Sequence, residues 1–480
     1  MHWTRFVSVV AMLCAAATAA SGATLYVNAA TGNDATPRAS NSAASPWKTL
    51  GRAAWGSTSR ERPDRAEAAQ PGDVVVVAAG TYDQAAQGKA RNQPLYNPVN
   101  NGTAEEPITF RAEGRVELRS STYEGPVIGT FQRSFIVWDG FYIDEQYVHY
   151  TPDTGPVVVW DSNHVTVQNL EISGTYAPYV DNHTGIRLEA ADDVLVRNNL
   201  VYGFGITRGG RQERSRNSTC IQLYYSNRIV IEHNEIRECG SGVFVKDTRQ
   251  GITMEDITIR LNLIYDMGKG PGPSASGIIL QSVTRARVYQ NVIRDSDVGI
   301  EIEATDRPLE RPVDVIVANN TLYELTDGAF RLRGAVPNWE KIRIVNNLTD
   351  RSVVLWGEDV PAPGDVAFEH NNYAGVPGRR FAYLKNVEYS FGDWRKTFKN
   401  DGAKPASTTS DPRFVDARAR DLRPCQGEAR PADGCRSASP VLELGVDVLD
   451  LDGDGVETNP IPAGAYLTGD EIVGRVPVQR

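Results

Sequence analysis

Apolar and polar residues alternate in short segments that recur about every thirty residues through the middle of the chain. Eight such segments align; they begin at Val165, Val194, Ile229, Ile257, Ala286, Val315, Ile342 and Val366. Successive side chains of a strand point to opposite faces, whereas a period of two would spread apolar residues around a helix. The pattern therefore predicts strands with one buried face.

A second short strand precedes most of these segments at a fixed distance. Val157, Ile186 and Ile221 each lie eight residues before the start of the following segment. A fixed spacing indicates a fixed coil, and stacked coils bury their apolar faces in a continuous column. The residues predicted to share one buried position in consecutive coils are Ile186, Ile221, Val243, Ile278, Ile300 and Phe330.

Seven of the eight segments end at an asparagine: Asn199, Asn234, Asn262, Asn291, Asn320, Asn347 and Asn371. Asparagine tolerates the left-handed backbone of a tight bend, and amides stacked on successive coils can hydrogen-bond into a ladder. We therefore interpret these residues as a turn signature and not as a site.

These patterns predict an all-β chain, a right-handed parallel β-helix with an N-terminal cap and a C-terminal lid segment. A stack lets one core grow along an axis, which suits a chain of 480 residues better than one globular core. We predict a signal peptide over 1–22, a cap and first strands over 23–133, coils over 134–375, and a C-terminal cap and tail over 376–480.

Composition narrows the class of partner. The net charge is -10 and the pI about 5.3, so the whole molecule has no electrostatic reason to bind nucleic acid or an anionic membrane. The apolar run from Phe6 to Ala20, followed by small residues, is typical of a secretory signal. We expect a secreted or periplasmic protein, monomeric and without an organic cofactor.

Four cysteines follow the predicted signal peptide, and an even number in an exported chain predicts disulfides. Sequence proximity favours pairing Cys425 with Cys435 and, less directly, Cys220 with Cys239. Four cysteines allow three connectivities, so the alternatives stay open at this point.

Several further pieces carry a resemblance. They are Leu25-Tyr-Val-Asn, Pro46-Trp-Lys-Thr-Leu, Pro71-Gly-Asp-Val-Val, Gly80-Thr-Tyr, Pro107-Ile-Thr-Phe-Arg-Ala and Asp411-Pro-Arg-Phe-Val. With the coils, they make the chain resemble exported bacterial β-helix proteins akin to polysaccharide lyases of the pectate lyase, alginate lyase and chondroitinase B type. The resemblance implies the fold and a basic residue on the outward face of the coils. The calcium-binding aspartate cluster of pectate lyases and the lysine–arginine spacing of chondroitinase B have no clear match.

The outward residues of the first strand in each coil form two columns, on which an extended polymer could lie. Arginines of the 202–218 connection add a local basic patch, so an acidic polysaccharide is the predicted partner. The candidate substrate-binding residues are Arg187, Glu189, Tyr224, Gln281, Arg331, Arg333, Arg208 and Arg211.

Lys246 is the first catalytic candidate. A lyase that acts on a uronic acid must remove the C5 proton, and a lysine among arginines can serve as the base. His183, which enters the same face, is a rival base. The alternative is that Lys246 is a solvated strand residue paired with Asp247.

Glu301 and Glu303 point the same way, and their Cα atoms would lie about 6.6 Å apart, near the carboxylate spacing of inverting glycosidases. They predict a hydrolase as a second enzymatic function. The simpler interpretation is ion pairing between coils, from Glu301 to Arg331 and from Glu303 to Arg333.

The tail segment Asp450-Leu-Asp-Gly-Asp-Gly resembles the start of a calcium loop, with Asp450, Asp452 and Asp454 as oxygen ligands. The twelfth position is Ile461 and not a glutamate, so any bound Ca²⁺ would be structural. The preferred function is cleavage of an acidic polysaccharide by β-elimination; a glycoside hydrolase and a non-catalytic carbohydrate-binding or adhesion protein are the alternatives.

Overall fold

The structure is a computed structural model. It describes residues 22–86, 88, 90–148, 154–178, 182–208, 211–213, 215–246, 253–268, 272–304, 311–334, 339–350, 354–356, 364–375, 381–384, 387–399, 401, 407–427, 435–456 and 459–477. The side chains of 176–178, 207–208 and 354–356 are outside this description. The predicted signal peptide lies almost wholly outside it.

Short parallel strands stack into a helix of coils with three faces. The first face contains Ile128–Phe131, the first halves of Val157–Gln168 and Thr184–Arg197, Thr219–Tyr224, Ser241–Val245, Ser276–Gln281, Val298–Glu303, Gly328–Arg333, Val354–Trp356 and Ala382–Leu384. Val387–Tyr389 ends this face with an antiparallel pairing.

The second face begins at the N-terminus of the described chain. It contains Thr24–Val27, Val74–Asp83, Ile108–Arg119, Ser134–Asp139, the second halves of Val157–Gln168 and Thr184–Arg197, Asn227–Glu232, Met254–Glu255, Ile257–Arg260, Val283–Thr284, Arg287–Tyr289, Val313–Ala318, Glu340–Val345 and Val366–Glu369. Thr24–Val27 pairs in parallel with the next strand of this face, so the stack extends well before residue 134.

The third face has the shortest strands. They are Tyr142–Asp144, Glu171–Ser173, Leu200–Tyr202, Glu235–Arg237, Leu263–Tyr265, Val292–Arg294, Thr321–Tyr323, Leu348–Thr349 and Asn372–Tyr373. The predicted all-β parallel fold is confirmed.

Two short α-helices cover the two ends of the stack. Helix α1, Leu50–Trp55, is entirely buried, and Gly56 ends it in the left-handed conformation at φ 74°. Helix α2, Phe391–Phe398, begins after the N-cap Ser390 and buries Trp394 against the last coils. Two single-turn 3₁₀ helices, Arg38–Ser40 and Glu145–Tyr147, lie in connections.

The predicted buried column is confirmed residue by residue. Ile186, Ile221, Val243, Ile278, Ile300 and Phe330 are partners in successive strand pairs, and each is at most 1 % exposed. Burial of one such side chain contributes about 1.5–3 kcal/mol, so the repeated column supplies much of the driving force for stacking.

The asparagine ladder is also present, in the corner between the second and third faces. From Asn199 to Asn347, each side-chain Nδ2 donates to Oδ1 of the asparagine on the next coil, at 2.9–3.0 Å. The left-handed residue of the bend precedes the ladder asparagine and includes Leu261 and Gln290. The ladder position therefore requires the amide, and not the backbone tolerance, of asparagine.

Two disulfides join Cys220 to Cys239 and Cys425 to Cys435, as predicted. The first joins two neighbouring coils, from Cys220 within the strand Thr219–Tyr224 to Cys239, two residues before the strand Ser241–Val245. The second closes a short loop in the C-terminal segment.

The C-terminal segment runs back along the ladder corner. Val446 exchanges hydrogen bonds with Asn346, and further along the segment Ala465, Gly474 and Val476 bond to Thr321, Leu261 and Asn198. We call residues 445–456 and 459–477 the strap. Two antiparallel ribbons, Phe414–Asp416 with Asp421–Pro424 and Gly445–Val446 with Pro460–Ile461, complete this region.

Candidate active site

The outward residues of the first face form two columns, in the register that the sequence predicts. One column is Arg187, Gln222, Phe244, Ile279, Glu301 and Arg331, and the other includes Glu189, Tyr224, Gln281, Glu303 and Arg333. Lys246 belongs to the second column, on the coil between those of Tyr224 and Gln281, because its backbone N–H donates to the carbonyl of Leu223 on the preceding coil.

Connections between coils cover part of this face. Tyr176–Pro178, Gly205–Arg208 and Arg211–Glu213 form a small separate sheet beside it. Arg211 is exposed on this sheet, whereas the side chain of Arg208 is outside the described part of the chain. Connections also reach over the columns, since Asn182 and Asn217 contact Lys246 and Arg216 contacts Glu303.

As a result, the first three predicted substrate-binding residues are buried. Arg187, Glu189 and Tyr224 are 4 %, 5 % and 4 % exposed. The Arg187 guanidinium donates to Glu189 at 2.6 and 2.8 Å and lies 4.3 Å from the centroid of the Tyr224 ring. The ion pair and the ring contact compensate these two buried charges.

Lys246 is partly exposed and lies at the edge of the covered region. Its Nζ donates to Oδ1 of Asn182 and to Oδ1 of Asn217, each at 2.9 Å. The same nitrogen lies 5.6 Å from the ring centroids of Tyr224 and Phe244. The suggested partner Asp247 is outside the described residues. Two connections from different coils thus hold the amine in one place.

His183 has a different environment, although it neighbours Asn182. Its side chain is fully buried; Nε2 pairs with the carboxylate of Glu145, and Nδ1 lies 3.2 Å from the carbonyl oxygen of Gly205. Because a carbonyl only accepts hydrogen bonds, Nδ1 must carry a proton. Glu145 also accepts from the hydroxyl of Thr175 at 2.7 Å, so this pair anchors the connection that carries Asn182.

Glu301 and Glu303 lie together under an arginine. Arg216 Nη2 is 3.4 Å from Glu301 and 2.8 Å from Glu303, and Arg333 Nη1 is 3.5 and 3.2 Å from the same two carboxylates. Arg331 lies 3.9 Å from Glu301. Glu301 is fully buried and also accepts from the Ser276 hydroxyl at 2.9 Å.

The face opens beyond these carboxylates. Gln281 is partly exposed, and the side chains of Arg331 and Arg333 are 19 % and 50 % exposed. Arg331 also donates to Ser274 at 3.0 Å and approaches Asp327 at 3.5 Å. The accessible part of the face is therefore a cationic groove that runs from Lys246 to Arg333, with Arg216 above it.

Sequence reasoning missed the two asparagines that hold Lys246. Asn182 and Asn217 belong to long, aperiodic connections, and nothing in their local sequence indicates that they meet. One signal is available: each directly precedes a residue that leads into a first-face strand, which brings it to the start of that face.

The predicted calcium ligands lie far along the chain, in the strap. Among the described residues, Asp447, Asp450 and Asp452 place one carboxylate oxygen each within 4.8 Å of one another. Asp447 replaces Asp454 in this group, and Asp454 contacts the Asn459 amide at 2.9 Å instead. The donor set suits Ca²⁺, whose binding remains a prediction.

Coils, ladder and covered groove together define a parallel β-helix with a polar cleft on one face. Residues 155–322 and 213–353 match the family model described as "Right handed beta helix region", so the coils have the predicted hand. No curated protein sequence matches the chain. Among the described residues, no helix is long and apolar enough to cross a membrane.

Solved structures with a similar fold share little sequence. A lacto-N-biosidase from Eubacterium ramulus is 16 % identical over 75 % of this chain and 62 % of its own, with a TM-score of 0.47. Pectate lyase Pel9A is 14 % identical over 93 % and 96 %, with a TM-score of 0.46. A polygalacturonase from Erwinia carotovora is 12 % identical over 81 % and 98 %, with a TM-score of 0.45.

Proposed function

We propose that the protein is an exported lyase that cleaves an acidic polysaccharide by β-elimination in the groove between Lys246 and Arg333. The observation that carries this proposal is the position of the Lys246 amine, which is fixed at the end of a row of arginines. Two disulfides support an oxidising compartment outside the cytoplasm.

The contacts of Lys246 suit a base. Donation from Nζ to Asn182 and Asn217 holds the amine in place, and the neutral form of an amine has one lone pair. The lone pair then takes the C5 proton of the uronic acid. The C5–H electrons form the C4=C5 double bond, the C4–O bond breaks, and the departing oxygen is protonated by a donor such as water.

The guanidinium groups of the groove suit the other requirement of the reaction. Negative charge develops on the uronate carboxylate as the proton leaves, and cations placed there stabilise it. Arg216, Arg331 and Arg333 lie along the same groove, although Glu301 and Glu303 offset part of their charge.

The contacts of Glu301 and Glu303 support a hydrolase less well than the contacts of Lys246 support a lyase. A glycosidase needs one carboxyl that carries a proton and one that does not. Glu301 and Glu303 share Arg216 and Arg333, so their arginine contacts do not single out one of them as the proton donor. The two carboxylates are therefore better suited to hold the arginines in place than to act as a catalytic acid and base.

The test is a screen of alginate, pectate, glycosaminoglycans and ulvan with two readouts, near-ultraviolet absorbance of the unsaturated product and new reducing ends. With an active substrate, Lys246→Ala should lower turnover by about 100-fold or more, while binding and the melting temperature stay nearly unchanged. Lys396→Ala is the control, because Lys396 is exposed on helix α2.

Other outcomes would reassign the function. If Lys246→Ala remains active while Glu301→Gln or Glu303→Gln is inactive and no unsaturated sugar forms, the protein is a hydrolase. Binding without either product would make it a carbohydrate-binding protein.

A further inference from the structure

Next to Lys246, the first face is covered for two coils on one side, up to the partly exposed Trp160, and is partly accessible on the other side. On the coil before Lys246, Gln222 is fully buried and Tyr224 is 4 % exposed. On the three coils after it, Gln281 is partly exposed, Glu303 is 7 % exposed beneath the partly exposed Arg216, and Arg333 is half exposed. Coils are about 4.8 Å apart, so the accessible run is about 15 Å long.

Described residues from three separate connections close the other side. Asn182 and Asn217 meet at Lys246, and Tyr224 Oη lies 3.4 Å from the Asn182 amide oxygen. Further back, Arg91 packs 5.0 Å from the ring centroid of Trp160, and its carbonyl accepts from the Thr154 hydroxyl at 2.8 Å. A polymer that lay across the whole face would have to pass through these contacts.

We propose that the substrate enters this groove by one chain end, from the side of Arg333, and stops at the coil of Lys246. This inference rests on the proposed function and adds the mode of attack. An enzyme that cuts within a chain needs room for sugars on both sides of its base. Here the two coils beyond Lys246 are covered, so we expect short products that come from chain ends.

The chemistry of Gln222 provides a direct check. Both atoms of its buried amide lack a hydrogen-bond partner among the described residues. If sugars bound beyond Lys246, this amide would be the group that meets them, because it lies on the next coil. If the end is closed, the amide has no ligand, and an apolar side chain of similar size is tolerated.

The first experiment follows product size with a substrate from the screen. Oligosaccharides of one length, labelled at one end, should yield unsaturated products of one or two units from the earliest time point. Polymer viscosity should fall slowly relative to the bonds cut. A collapse of viscosity after a few per cent of bonds are cut, with products of many lengths, would overturn chain-end attack while leaving the lyase assignment intact.

The second experiment does not depend on turnover. Binding of Lys246→Ala to size-fractionated polymer at equal mass should increase in proportion to the number of chain ends. Binding in proportion to mass would contradict the inference. If wild type shows no turnover, this measurement on wild type still decides it, and absence of binding to every polymer tested would overturn both proposals.

Two variants complete the test. Gln222→Leu should leave KM and kcat within about twofold of wild type, with a melting temperature that is no lower. Arg333→Ala, on the open side, should raise KM several-fold. A several-fold increase of KM in Gln222→Leu at an unchanged melting temperature would show that sugars bind beyond Lys246.

Discussion

Replacement of Asn234 tests whether the asparagine ladder stabilises the stack. Its Nδ2 lies 2.9 Å from Asn262 Oδ1 and 3.0 Å from the carbonyl oxygens of Val196 and Glu232. Its Oδ1 accepts from both the backbone N–H and the Nδ2 of Asn199, at 3.0 and 2.9 Å. Asn234→Leu therefore removes several bonds at once and leaves buried groups on two neighbouring coils without a partner.

The magnitude follows from the number of bonds. A net loss of about 1 kcal/mol for each bond, with a larger penalty for a buried group left unpaired, predicts a decrease of about 3–5 kcal/mol in the free energy of unfolding. Chemical denaturation and thermal melting measure this decrease. Asn163→Leu is the matched control, because Asn163 is an exposed residue of the strand Val157–Gln168.

Asn234→Asp sharpens the test. Aspartate keeps the acceptor for Asn199 but directs a second oxygen at three acceptors, so the ionised form should destabilise the protein at least as much as leucine does. A protonated carboxyl can donate, so this variant should recover stability as the pH falls. Wild-type stability of Asn234→Leu, or a pH-independent Asn234→Asp, would refute a stabilising ladder.

Three further predictions concern groups outside the ladder. Arg216→Ala should lower the free energy of unfolding by about 2–3 kcal/mol, which is less than for a fully buried ion pair because Arg216 is partly exposed. Arg216→Lys should restore part of this loss, and chemical denaturation of both variants measures the two effects. Burial raises the pKa of Asp401, so wild type should lose stability relative to Asp401→Asn as the pH rises through the acid range above about 4, and parallel melting curves at each pH would contradict this. Calcium should raise the melting temperature of wild type but not of Asp450→Asn, and equal shifts in both would exclude a site at Asp450.

The fold could be predicted because its information is local and repeated. The position of Ile221 relative to Ile186 follows from a fixed spacing, and the period of two assigns each side chain to a face. The same repetition identified the ladder asparagines. It did not identify the residue in the left-handed bend. Leu261 has a positive φ because the path of the coil imposes it, and not because leucine favours that conformation.

The site could be predicted only where it lies on the strands. The columns that contain Glu301 and Glu303 follow from register, but their contact with Arg216 depends on the path of an aperiodic connection. The burial of His183 depends in the same way on Glu145, a residue of an earlier coil. Contacts of this kind are set by the three-dimensional course of loops, which no short-range pattern encodes.

The strap affects how the stack of coils responds to mechanical tension and the order in which its contacts form. In a simple stack each coil touches only its neighbours, so the stack can fray from either end. The strap joins residues as late in the chain as Val476 to coils that are synthesised much earlier, such as the one with Asn198. Tension applied at the C-terminus would break its bonds one after another, in the manner of a zipper, before any coil carried the load. The strap, which is synthesised after the coils, is thus the segment that fastens them together.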